Sequence, residues 1–186
     1  LMLTGTSYQT YFDGAQFVHF LLGPATVALA IPLYTQLKRV KAMLVPVVVG
    51  LLAGSLTAAF SAIAIAKLFG ASLPTQLSLA PKSVTTPIAM GIAERIGGIP
   101  SLTAVLVIAT GILGAVGGRY VFNAMRIHDP AIRGFAIGVA SHGIGTARAF
   151  QVSEQSGAFA ALAMGLNGAL TALLLPFLLS ATRGLG

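Results

Sequence analysis

The feature that most constrains this chain is a series of apolar runs about as long as a bilayer is thick. A helix crossing ~30 Å of hydrocarbon needs about 20 mostly apolar residues. Met43 to Ala66, Leu102 to Met125 and Ala158 to Ala181 each reach that length unbroken. Only 8% of the 186 residues are charged and 56% are hydrophobic, whereas a soluble domain carries about 25% charge. Such a chain cannot cover its own surface against water. The expected fold is an all-α polytopic membrane protein, one domain over residues 1–186.

Two further runs have the length but are interrupted. Gln16 to Leu37 holds Gly23-Pro24, and Ala131 to Val152 holds Ser141-His142-Gly143-Ile144-Gly145-Thr146. A sixth stretch, Leu79 to Ile96, is short and contains Pro81, Lys82, Ser83, Thr85, Thr86, Pro87, Glu94 and Arg95. It reads as a re-entrant element rather than a span. Gly50/Gly54, Gly114/Gly118 and Gly134/Gly138 are small-residue pairs at the spacing that lets helices pack closely.

The interrupted runs are related. Gly23 and Thr26 match Gly143 and Thr146 at an offset of 120 positions, and Gly54-Ser-Leu-Thr-Ala58 matches Gly168-Ala-Leu-Thr-Ala172 at an offset of 114. The shared order of elements predicts an internal duplication, with a first repeat over 1–70 and a second over 71–186. Charge then sets direction. With Lys38, Arg39 and Lys41 in the cytoplasm and Leu79 to Ile96 re-entrant, Arg119, Arg126, Arg133 and Arg183 also fall inside. Seven of the eleven basic residues then obey the positive-inside bias, and the repeat is expected to be inverted, with two broken transmembrane helices. The first copy lacks partners for Leu79 to Ile96 and Leu102 to Met125, so the symmetry predicts about forty more residues upstream of Leu1.

A break inside the membrane persists only where it faces protein or a watery cavity. A half-helix that begins there aims free N–H groups and about half a positive charge at its surroundings. Two such starts converging at mid-membrane would form an anion site, as in secondary transporters with inverted repeats. The hydroxyls of Thr26, Ser141 and Thr146 suit a carboxylate there, beside the breaks at Gly143 and Gly145. His142 either donates to the ligand or carries a proton, or is a neutral structural histidine bonded to a carbonyl. Arg148 is either a functional cation or an interfacial one that snorkels. Lys82, Ser83, Thr85 and Thr86 form either a second anion-contacting turn or a cap for the helix after Pro87. Asn167 either bonds between helices or reaches the site.

Other chemistries are poorly served. The net charge of +7 comes without a basic face bearing interleaved aromatics, so no nucleic-acid partner is expected. There is no cysteine, and the three histidines and four acids lack metal-ligand spacing. No phosphate-cradling loop is present, and no nearby carboxylate orients His142 against Ser141. No metal, cofactor or enzymatic activity is expected.

The runs Leu79-Ala-Pro-Lys-Ser-Val-Thr-Thr-Pro-Ile-Ala-Met90 and Ala140-Ser-His-Gly-Ile-Gly-Thr-Ala-Arg-Ala149 resemble the LrgB/CidB family closely. So do Phe20-Leu-Leu-Gly-Pro-Ala-Thr-Val-Ala-Leu29 and Gly165-Leu-Asn-Gly168. The likeness runs the whole chain in order. It implies two pictures: a holin-like or antiholin-like modulator of murein hydrolase export and autolysis, or a carrier of small monocarboxylates. The second picture is that of bacterial pyruvate systems and the plastidal glycolate/glycerate transporter. A small LrgA/CidA-type membrane protein and further copies of the chain are the expected protein partners. Of the two, the paired breaks favour carriage of a monocarboxylate, with His142 as the group that could couple it to a proton.

Overall fold

The computed structural model describes residues 30–183 continuously, and before them only Thr10, Asp13, Gly14, Gln16, Phe17, Phe20 and Ala28. The first interrupted run, with Gly23-Pro24 and Thr26, therefore lies outside the described residues. From residue 30 on the elements are all helical: α1 (Ala30–Thr35), α2 (Leu37–Ala42), α3 (Leu44–Leu68), α4 (Leu73–Leu79), α5 (Thr86–Ile96), α6 (Pro100–Ala124), α7 (Pro130–Val152) and α8 (Glu154–Arg183). Proline opens or nearly opens α4, α5, α6 and α7, where its fixed φ suits a helix and its missing N–H has no partner to lose.

Three of these helices are long and apolar enough to cross a membrane: α3, α6 and residues 154–178 of α8, with mean hydropathy 2.1, 1.9 and 1.8. At ~1.5 Å per residue, the 25-residue α3 and α6 are about 38 Å long. Large apolar side chains stand bare on them, among them Val45, Val49 and Phe60 on α3 and Val105, Leu113 and Val116 on α6. That much exposed hydrocarbon fits lipid and not water. The protein is a membrane protein.

Between the long helices the chain twice turns back on itself. The first reversal is α4 and α5. Its base closes on Ser78, whose hydroxyl accepts from the Ile99 N–H (2.8 Å) while its carbonyl accepts from the Thr103 hydroxyl (3.1 Å). Gly97 ends α5 in the left-handed conformation, at φ 84°, and Gly98 lies so close that a Cβ there would stand 3.0 Å from the Ser78 nitrogen. The chain thus leaves residue 78, turns through 80–85, and returns to residue 98. Leu79 to Ile96 is accordingly the end of α4, a turn and α5.

The second reversal is inside α7. His142 has φ 41° and ψ −135°, values that no helical residue adopts and that L side chains rarely tolerate. The two limbs, 130–141 and 143–152, fold against each other: a Cβ on Gly145 would lie 2.7 Å from the Ile137 side chain. Gly134 packs on the Ser156 backbone and Gly157 on the Phe150 ring, so residues on both sides of the tip reach the start of α8. Asp129 caps the first limb, accepting from the Ala131 N–H at 2.8 Å. The expected interrupted span over Ala131 to Val152 is therefore corrected. It is a hairpin, entering and leaving at one end of the bundle.

This reversal also corrects the expected direction of the paired spans. α3 and α8 run side by side in the same sense: Leu51 clusters with Ala163 and Ser55 bonds Asn167, while Thr35 of α1, before α3, bonds Glu154 at the start of α8. Because α7 doubles back instead of crossing, α8 starts where α3 starts. The α4–α5 hairpin packs from one end of the bundle and α7 from the other. Lys38, Arg39, Lys41, Arg119, Arg126, Arg133 and Arg148 gather at the α7 end, where Arg39 pairs with Asp129 (2.5 Å). Arg183, expected among them, closes α8 at the opposite end.

Candidate functional site

The two hairpin tips meet partway along α6 and α8. On α6, Thr103 holds the base of the α4–α5 hairpin and Val107 joins the buried cluster of Val84, Leu77 and Ala80. Toward the other end, a Cβ on Gly111 would strike the His142 ring at 2.8 Å, one on Gly114 would strike the Ser141 hydroxyl, and one on Gly118 would meet Ile137 at 2.5 Å. Val107 is the junction. Its side chain packs with one hairpin, and its carbonyl lies 2.9 Å from His142 Nε2 of the other.

Asn167 makes the same junction from α8. Its Nδ2 donates to Ser83 O (3.2 Å) in the first tip and to Val139 O (3.0 Å) just before the second. Its Oδ1 accepts from the Ser55 hydroxyl of α3 and from Thr171 (3.3 Å). With 1% of its surface exposed, the amide uses both donors and both lone pairs. Of the two readings of Asn167, bonding between helices is the one this geometry realises, and the bonds fall where the tips converge. Truncation in Asn167→Ala strands two carbonyls and two hydroxyls. At ~0.6 kcal/mol per intramembrane hydrogen bond, and more for groups left unpaired, it is expected to cost roughly 2 kcal/mol. Thermal melts in detergent followed by circular dichroism would read this as a lower midpoint; an unchanged midpoint would show that the tips hold without it.

The remaining candidates divide by where their polar atoms go. The Thr146 hydroxyl donates to His142 O at 2.8 Å, four residues back along the second limb. Ser141 is fully buried; its hydroxyl faces Gly114 and has no hydrogen-bond partner. Gly145 is a packing residue, its missing Cβ being where Ile137 and Ser141 sit. Gly143 is half-buried, with only Met164 Sδ at 3.9 Å from a Cβ placed there. In the other tip, Ser83 is buried, Lys82, Thr85 and Thr86 are half-buried, and Lys82 Nζ lies 3.4 Å from Ser83 Oγ. Thr85 precedes α5 without capping it through its side chain.

Arg148 stands apart from the tips. It is exposed, donates to Gln151 at 3.0 Å, and lines a cavity of about 70 Å³ with Arg119 and Arg133. Sequence alone did not connect these three, since they are brought together only by the reversal of α7 against α6. It also missed Val107 and Ser55, whose roles depend on one carbonyl and one hydroxyl in apolar helices. Ser55 had one signal, its place in the Gly54–Ala58 match. Among the described residues no group of His, Asp or Glu could hold a metal. A cavity of about 520 Å³ lies between α3 and the first limb of α7, from Met43 and Val47 to Phe135 and Phe159. It is lined by apolar residues alone and has nothing to offer a carboxylate.

Comparison with known proteins places this chain in a family. The Bacillus subtilis (strain 168) protein YwbG is 41% identical over 180 residues, covering 97% of this chain and 80% of YwbG. The holin-like protein CidB of Staphylococcus epidermidis is 30% identical over 96% of this chain and 78% of CidB. The antiholin-like protein LrgB of Bacillus cereus is 31% identical over 91% of this chain and 74% of LrgB. No solved structure matches. The family described as LrgB-like matches residues 1–181, and the chain belongs to it.

Proposed function

We propose that the chain is a multi-pass carrier of small monocarboxylates such as pyruvate, glycolate or glycerate, working in a bacterial inner membrane. The observation that supports this reading is the convergence at Asn167 of two hairpins from opposite ends of the bundle. Taken as re-entrant elements, they aim the starts of α5 and of the second limb of α7 at one place inside the membrane. Each start carries unpaired N–H groups and a partial positive charge, to which a carboxylate is complementary. Lys82, Thr85 and Thr86 line the first tip and His142 and Gly143 the second. Thr26, from the first repeat, completes the proposed set. Ser141, Gly145, Thr146 and Asn167 hold the tips in shape, as Ser83 does through its carbonyl. His142 is the group in this set suited to carry a proton.

The second reading, a holin-like or antiholin-like modulator of murein hydrolase export and autolysis, is favoured by the printed names of the relatives. Those names support it more directly than anything supports carriage. It needs a pore or a regulated partner, such as a small LrgA/CidA-type protein or further copies of this chain. One experiment separates the two. The chain reconstituted in liposomes is expected to take up labelled pyruvate, glycolate or glycerate saturably, with unlabelled substrate competing. Leakage of unrelated solutes that never saturates would replace the carrier reading with the holin-like one.

A further inference from the structure

Arg119 from α6, Arg133 from the first limb of α7 and Arg148 from the second line one small cavity. Three cationic side chains lining one cavity make it a place that favours an anion. No carboxylate lines this cavity: Asp129 is taken by Arg39, Glu154 accepts from Thr35, Asp13 accepts from Gln16, and Glu94 belongs to α5 at the other end. Their own partners are neutral. Arg133 donates to Ile127 O (2.6 Å) and Asn123 Oδ1 (2.5 Å) and lies over the Phe122 ring, Arg148 donates to Gln151, and Arg119 lies over Tyr120. Arg133 is thereby fixed, while Arg119 and Arg148 are exposed.

We infer that this cavity is a binding site for the phosphate of an anionic phospholipid. Planar guanidinium groups bind phosphate oxygens in pairs, and basic pockets between membrane helices recognise acidic headgroups. The place fits a lipid rather than a free ion. The arginines stand at the end of the bundle that gathers the most cations, one or two turns beyond the exposed Leu113 and Val116 of α6. The rest of the cavity wall is mostly apolar, with Ala115, Phe122, Ile137, Ala149 and Val152, a surface against which an acyl chain can lie. The site spans α6 and both limbs of α7, so a bound lipid would brace the hairpin against its neighbour. This inference does not depend on what the hairpin tips carry.

The test uses the full chain in vesicles of phosphatidylcholine containing a minority of phosphatidylglycerol, with lipid retained after detergent extraction counted by native mass spectrometry. Phosphatidylglycerol is expected to be retained, and retention to fall about fivefold in Arg119→Gln and in Arg148→Gln, as for loss of one basic contact near a membrane surface. Lys41→Gln, an exposed cation at the same end, is expected to change nothing. Arg148→Lys keeps the charge but loses the paired geometry, and should fall between. Equal retention in all four variants would overturn the site. Release of the lipid by millimolar inorganic phosphate would overturn the assignment to a lipid, showing that the same arginines take a free oxyanion.

Discussion

Gly138→Ala is expected to cost at least ~3 kcal/mol, far more than one methyl group usually does. The reason is where the methyl would go. A Cβ on Gly138 would stand 2.2 Å from the Ala160 carbonyl oxygen, and one on Gly134 would stand 2.1 Å from that of Ser156. Both obstacles are backbone, which cannot swing aside like a side chain. Alanine is intrinsically the better helix former, by about 1 kcal/mol, and that gain is small beside the overlap. The first limb of α7 must move off α8, carrying Val139 O from Asn167. The double variant Gly134→Ala/Gly138→Ala is expected to lose its monodisperse peak on size exclusion in detergent. Gly117→Ala and Gly165→Ala, with nothing within 4 Å of the added carbon, are expected to match or exceed the parent melting midpoint. If all four behave alike, the close approach of α7 and α8 is wrong.

The same glycines show what was readable in advance. The long helices were legible because apolar run length translates directly into span length: Met43 to Ala66 became Leu44–Leu68, and Leu102 to Met125 became Pro100–Ala124. The paired glycines were legible as packing points, and each now has a partner: Phe135 on Gly50, Val139 on Gly54, Ser141 on Gly114, Ile137 on Gly118. The reversal at His142 was not legible. A helix that breaks and continues and one that breaks and returns have the same pattern, a polar residue among glycines between apolar segments. Only long-range contacts decide, such as Gly145 against Ile137 and Gly134 against Ser156. Once that turn is misread, the directions of everything after it are misread too, which is how Arg183 was assigned to the wrong end. The expected site paired the break at Gly23-Pro24, which lies outside the described residues, with the one at Ser141 to Thr146; that the turn at Lys82 to Thr86 meets the second break through Asn167 was not legible. Which of their hydroxyls serve the fold was hidden, because Thr146 bonds a carbonyl whose position the reversal creates.

His142 allows the backbone and the ring to be tested separately. Its φ of 41° is strained for a residue with a Cβ and costs about 1–3 kcal/mol. A glycine there is free of that strain. His142→Gly and His142→Ala both delete the imidazole and its bond to Val107 O, yet only the alanine keeps the strain. The glycine variant is therefore expected to be more stable than the alanine variant by about 1 kcal/mol, a difference of roughly 2–4 °C in melting midpoint for a chain of this length. Equal midpoints would mean that the hairpin does not turn at this residue. Transport reads the ring instead. If the imidazole serves the carrier, both variants lose saturable monocarboxylate uptake, and the better-folded His142→Gly loses it as completely as His142→Ala. Uptake that survives in the glycine variant would remove His142 from the transport chemistry and leave it a positioning residue. Uptake that tracks stability across the two would assign its effect to the fold. The holin-like reading predicts a third pattern, in which solute leakage is unchanged in any variant that still folds. The imidazole is the test group because, unlike Thr146 and Asn167, it lies at the tip itself, and its one bond is to a main-chain oxygen of a neighbouring span.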